Sequence, residues 1–203
     1  MEYSNHNTSI YRSFRRFLCS AALFAVSGII NAAPIVAVDV DPLSPGIQTI
    51  AVLASGSSLT FDIVVTGVDA SASLSAFEFD LNLDFSVLNP TNVTDGGFLS
   101  GSVFPVEADL ITPDVNFSET SLGGTGASGS GILARVTVDA LSIGPSILDL
   151  NNVILSAAFG TPITVASVND ANITVVPLPS ALLLFISGCI GFGGYSRFWR
   201  YGG

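Results

Sequence analysis

The chain has 203 residues, no lysine, and sixteen acidic side chains against six arginines, for a formal net charge of −10. Five arginines sit in the two apolar ends, so the intervening body of about 140 residues sets fifteen acids against Arg135 alone; this excludes nucleic acid, which needs clustered Lys and Arg to displace its counterions. His6, Cys19 and Cys189 also lie in the ends, leaving the body no disulfide and none of the imidazole or thiolate on which most hydrolase triads and zinc sites rest.

Arg12, Arg15 and Arg16 precede the apolar run 17–30, and the small residues Ala32 and Ala33 follow it. This order of charged, apolar and small residues predicts a secretory signal peptide over residues 1–33, removed by signal peptidase. The cut is expected after Ala32, because a cut after Ala33 would leave Pro34 directly beyond the broken bond. A retained anchor is the alternative, but the apolar run is short for a bilayer span.

The body, residues 34–175, reads as all β. Its runs 35–40, 60–65, 77–85, 133–140, 146–155 and 163–176 are rich in β-branched and aromatic residues and are separated by Gly, Pro, Asn and Ser, with turn chemistry at 42–46, 55–58 and 95–97. No segment carries a helical period, and six to nine short strands in this length predict a β-sandwich. Its core is expected to hold Phe61, Phe77, Phe79, Leu81, Leu83 and Phe85.

The stretch 77–85 alternates apolar and polar residues without a break, which aligns Glu78, Asp80, Asn82 and Asp84 along one face of a strand. Glu78, Asp80 and Asp84 are candidate calcium ligands, since that ion takes hard oxygens. A solvated acidic face is the competing reading, because a straight strand spreads its ligands apart, and the pair Asp39 and Asp41 stands in the same position. The series Gly124, Gly126 and Gly129 has the spacing of a dinucleotide-binding loop, but a strand follows it where a helix is required, so it reads as a flexible loop. Arg135 is expected to pair with Asp62 or Asp139. With no Trp or Tyr in the body, a sugar platform would have to be built from phenylalanine. No catalytic residue is assigned and no cofactor is expected beyond possible calcium.

The order of features resembles a cohesin module: an early strand ending in Pro42-Leu43-Ser44-Pro45-Gly46, then 58–63, then 77–88, Gly97-Phe98-Leu99, and 129–134. The phrase from Phe79 to Leu88 is the most specific part. That resemblance implies a jelly-roll β-sandwich of the kind that also hosts carbohydrate-binding domains. The usual proline after the strand's aspartate is replaced by Phe85, and no dockerin partner follows from the resemblance.

Residues 176–203 begin with Val176-Pro177-Leu178-Pro179-Ser180, continue through an apolar, glycine-bearing segment expected to form a transmembrane helix over 181–196, and end in a basic stretch, 197–203, with Arg197 and Arg200. The trailing arginines favour the cytoplasmic side, which places the body outside the inner membrane. This tail resembles the PEP-CTERM sorting signal of Gram-negative bacteria in a Val-Pro-Leu-Pro variant, with Leu178 where the family usually has glutamate. The resemblance implies an inner-membrane intermediate, processing by an exosortase near the prolines, and a destination at the cell surface or in the extracellular matrix. A plain C-terminal anchor is the alternative. The reading is of an exported, non-enzymatic module with a structural or adhesive role, the alternative being calcium-assisted binding of envelope polysaccharide or of a protein partner.

Overall fold

A computed structural model describes residues 32–111, 114–123 and 126–178. The run 17–30, the predicted helix 181–196 and the residues Pro179, Ser180, Arg197 and Arg200 lie outside the described residues. Ala32 and Ala33 are exposed, and Pro34 beside them is buried.

The described residues form twelve strands: β1 Ile35–Asp39, β2 Ile50–Ala54, β3 Ser58–Val68, β4 Leu74–Asn82, β5 Leu88–Asp95, β6 Ser102–Ile111, β7 Asp114–Leu122, β8 Gly129–Ala140, β9 Gly144–Ala157, β10 Pro162–Ile163, β11 Ser167–Asn169 and β12 Ala171–Val176. One sheet has the order β11-β1-β3-β8-β5; the other runs β2-β12-β9-β4-β7-β6, with β10 also paired to β9. Pairing is antiparallel except for β1 with β11 and β2 with β12. Successive strands repeatedly change sheet, as from β1 to β2, β3 to β4 and β7 to β8, which gives the wrapped connectivity expected of a jelly roll.

Alternation sets the core. Phe61, Phe77, Phe79, Leu81 and Leu83 are all buried, as expected, and Phe85 is half-buried against the core's rim. Phe77, Phe79 and Phe117 form a triangle with ring centroids 5.9–6.3 Å apart. Such contacts add to area burial and tie β4 to β7.

Several predicted boundaries shift, for local reasons. The strand expected over 77–85 runs from Leu74 to Asn82 and stops there. The Asp84 carboxylate accepts the Ser86 N–H at 2.9 Å and hydroxyl at 2.6 Å, while its carbonyl accepts the Val87 and Leu88 N–H groups. A side chain that satisfies the backbone in this way competes with the sheet ladder and starts a turn. The run 163–176 divides into β10, β11 and β12, and β12 ends on Val176, one residue into the segment assigned to the tail. Val176 pairs with Ala54 of β2, and the described chain ends just beyond it at Leu178.

Candidate functional site

Four strands, β9, β4, β7 and β6, present a continuous outer face whose composition changes along the strands. The first cross-strand row is Ser156, Ala76, Thr120 and Phe104; the next is Ile154, Glu78, Ser118 and Glu107. Below these come Asn151, Asp80, Asn116 and Asp109, then Asp149, Asn82 and Asp114. The upper part is therefore apolar and hydroxylic and the lower part carries carboxylates. Arg135, the body's one cation, lies on the other sheet.

Three register shifts shape the upper part, one of them between Leu74 and Ala76 where β4 meets β9. Asn152 takes the left-handed conformation, φ 48°, and inserts an extra residue into β9 opposite Glu78 and Asp80. In β6 the register shifts between Pro105 and Glu107, so Val106 is unpaired and 69% exposed. A bulge re-aims side chains and increases local twist. The result is a shallow hollow of about 150 Å³ floored by Ala76, Ser118, Thr120 and Ser156 and walled by Val106, Ile154 and Glu78. Phe104 and Ile154, 50% and 52% exposed, stand in adjoining rows. A second, more open groove of about 540 Å³ continues over Asn82, Asp84, Asp149, Ile147 and Asn172.

The acidic row predicted for calcium is only partly assembled. Glu78 and Asp80 do project from the outer face of β4, but Asp84 lies beyond the strand in its own turn. Asp80 is held between two amides: Asn116 Nδ2 donates to one carboxylate oxygen at 2.8 Å and Asn152 Nδ2 to the other. Hydrogen bonds from the Ser86 hydroxyl and backbone hold the Asp84 carboxyl below its ordinary range. Among the described residues no group of three His, Cys, Asp or Glu side chains converges as a metal site would require. Asp39 instead fastens the β1–β2 connection, accepting the Gln48 N–H at 3.0 Å.

Arg135 pairs with Asp62, Nε to Oδ1 3.6 Å, while Asp139 accepts the Ser58 hydroxyl. Asp62 is buried beside Asp39, its register partner; desolvation raises its carboxyl, Arg135 opposes that, and Asp39 adds to it. The glycine series leads into strand β8, as its context predicted: a Cβ on Gly126 would lie 2.6 Å from the Ser73 Cβ, while the Cβ position of Gly129, the first residue of β8, is open.

Sequence reasoning missed the contributions of β6 and β7. Neither alternates cleanly: Pro105 sits at the bulge in β6, and Glu119 turns a carboxylate inward from β7. Phe104 and Val106, two apolar residues flanking that proline, were the available signal for an exposed apolar edge.

The fold compares closely with solved cohesins. It matches a non-cellulosomal cohesin from Archaeoglobus fulgidus with a TM-score of 0.56 and 15% identity, over 74% of this chain and 96% of that one. The body is a cohesin-like β-sandwich. A type I cohesin–dockerin complex from Clostridium thermocellum matches with a TM-score of 0.58, 13% identity, 72% of this chain and 95% of the other. The cohesin module of a Clostridium perfringens family 33 glycoside hydrolase gives 0.56, 11%, 72% and 98%. No protein-family model and no curated protein matches the chain. At these identities it is the cohesin-like fold that is shared.

Proposed function

We propose that this is an exported, non-catalytic binding module that recognises a protein partner with the outer face of β9, β4, β7 and β6. The observation that carries the reading is the graded face: Val106 and Ile154 stand exposed at a hollow, Phe104 stands exposed beside its Thr120, and Glu78, Glu107, Asp80 and Asp109 occupy the rows beside and below it. A partner surface that complements it presents apolar side chains next to lysine and arginine. Apolar contacts of this kind supply affinity, and opposed charges supply orientation and a fast association rate. The likeness to a cohesin solved with its dockerin supports the same class of partner. A sugar ligand is less well served, since the body has no Trp or Tyr.

Export and sorting complete the proposal. The signal peptide is removed near Ala32 and Ala33, the segment 181–196 holds an inner-membrane intermediate, and an exosortase acts near Pro177 and Pro179, leaving the body at the cell surface or in the extracellular matrix. Support comes from the residue order at the two ends, and Ala32, Ala33 and Leu178, next to the expected cuts, are exposed. Intact mass of the protein recovered from envelope and medium of its native host is expected to show a species beginning near Ala33 and ending near Pro177. A mature species that retains Arg197 and Trp199 would refute sorting.

The binding reading is tested by immobilising the body, residues 33–178, and capturing proteins from the host's culture medium and envelope. A protein retained by the natural sequence, lost on Glu78→Arg/Ile154→Arg, and shown to bind again after purification is the expected outcome. Both substituted side chains are exposed, so folding is preserved. Equal retention by the double variant would overturn the assignment of the face.

A further inference from the structure

Beyond the end of β9 the chain turns back into β10 through Ala158, Phe159, Gly160 and Thr161. The Thr161 N–H donates to the Ala158 carbonyl at 3.4 Å, and the two central residues both have positive φ, 60° at Phe159 and 74° at Gly160. Positive φ at both central positions is the pattern of a type I′ turn, whose first central position favours Asn, Asp or Gly because a Cβ is strained there. A bulky aromatic at that position is an outlier. Phe159 is also fully exposed, so no packing within the fold compensates for the strain.

Leu43 is as exposed, but lone exposed apolar residues are ordinary. What separates Phe159 is exposure combined with an unfavourable backbone. Strain that the fold itself does not use points to use by something outside it.

Location narrows that use. Ile154 and Ser156, which line the hollow on the outer face, immediately precede the turn on the same strand, and Ala157 pairs with Leu74 at the start of β4. Phe159 therefore stands at the apolar end of the face, past its upper row. It is also remote from the C-terminal end of the described chain: Val175 of β12 pairs with Gly144, the first residue of β9, whereas Phe159 lies beyond its last. Those ends are roughly 40–45 Å apart at the rise of a β-strand. A second acidic copy is disfavoured as the occupant, because two bodies of about −14 charge repel.

We infer that Phe159 is the aromatic anchor of the partner interface, inserting into an apolar pocket of the same basic-and-apolar protein that covers the β9-β4-β7-β6 face. This rests on the function proposed above. Aromatic side chains projecting into a partner's pocket are among the few residues that dominate interface energetics.

The test compares three immobilised bodies, 33–178: the natural sequence, Phe159→Asn, and Glu78→Arg/Ile154→Arg, each with the protein captured on the natural sequence. Asparagine suits the turn, so Phe159→Asn is expected to raise the melting temperature by a few degrees while weakening binding at least tenfold. Tenfold loss on both variants supports the anchor and the face together. Loss on the double variant with natural affinity on Phe159→Asn overturns the anchor and keeps the face. Loss on Phe159→Asn alone supports the anchor and overturns the face, and no specific capture on the natural sequence overturns both. A fall in melting temperature with Phe159→Asn would show that the phenylalanine serves the fold, which also overturns the inference.

Discussion

Replacing Glu119 with glutamine is expected to stabilise the protein above pH 7 by about 1–3 kcal/mol and to leave its stability near pH 5 almost unchanged. Glu119 is only 2% exposed, lies opposite Phe77 in the β4–β7 register, and leaves Oε2 without a hydrogen-bond partner. Burial first, and then Asp95 on β5, raise its carboxyl from 4.5 to about 7. The folded state therefore holds this proton more tightly than the unfolded chain does. The resulting stability is complete below pH 4.5 and is lost as pH rises through 7, where a buried carboxylate faces Asp95. Asp95 itself is exposed, so solvent screens part of the repulsion, and the expected gain is kept below the full shift for that reason. Chemical denaturation at pH 5 and pH 8 is the measurement. A natural protein equally stable at both, together with an unchanged glutamine variant, would show that Glu119 is charged without cost.

Gly96→Ala is expected to cost about 2–4 kcal/mol, and Gly97→Ala, one residue on, only about 1. Gly96 donates its N–H to the Leu133 carbonyl at 2.9 Å, where the chain leaves β5 against β8. A Cβ there would lie 2.3 Å from the Ile132 carbonyl oxygen and 2.5 Å from its carbon. That obstacle is backbone, which cannot rotate aside, so the end of β5 would have to separate from β8. Gly97 has φ 84° and open space around its Cβ position, so its substitution meets only the left-handed backbone penalty. Paired thermal melts distinguish the two, and equal destabilisation would mean that the close approach to Ile132 relaxes freely.

Both cases show where the sequence was readable and where it was not. The core of β4 was visible because Phe77, Phe79 and Leu81 alternate with polar residues, and period two has one physical meaning in a sheet with a wet face. The end of β4 was not, because alternation continues through Leu83 and Phe85 while Asp84 already captures the Ser86 backbone. Local hydrogen bonding overrode the pattern.

The face had the same mixed legibility. Glu78 and Asp80 could be placed on one side of a strand, but their neighbours could not. Residues Asn116, Asn152, Phe104 and Val106 reach them only through long-range pairing, and three bulges set the register. The hollow beside Glu78 is a product of those bulges. Its position depends on contacts between strands tens of residues apart, which periodicity does not encode.

The most direct test of the account is amide hydrogen exchange of the body, residues 33–178, with and without the protein captured on it. Protection is predicted on β4, β6, β7 and the second half of β9, together with the turn at Phe159, while the sheet formed by β11, β1, β3, β8 and β5 exchanges as in the free protein. Protection confined to that five-stranded sheet would contradict the proposed function.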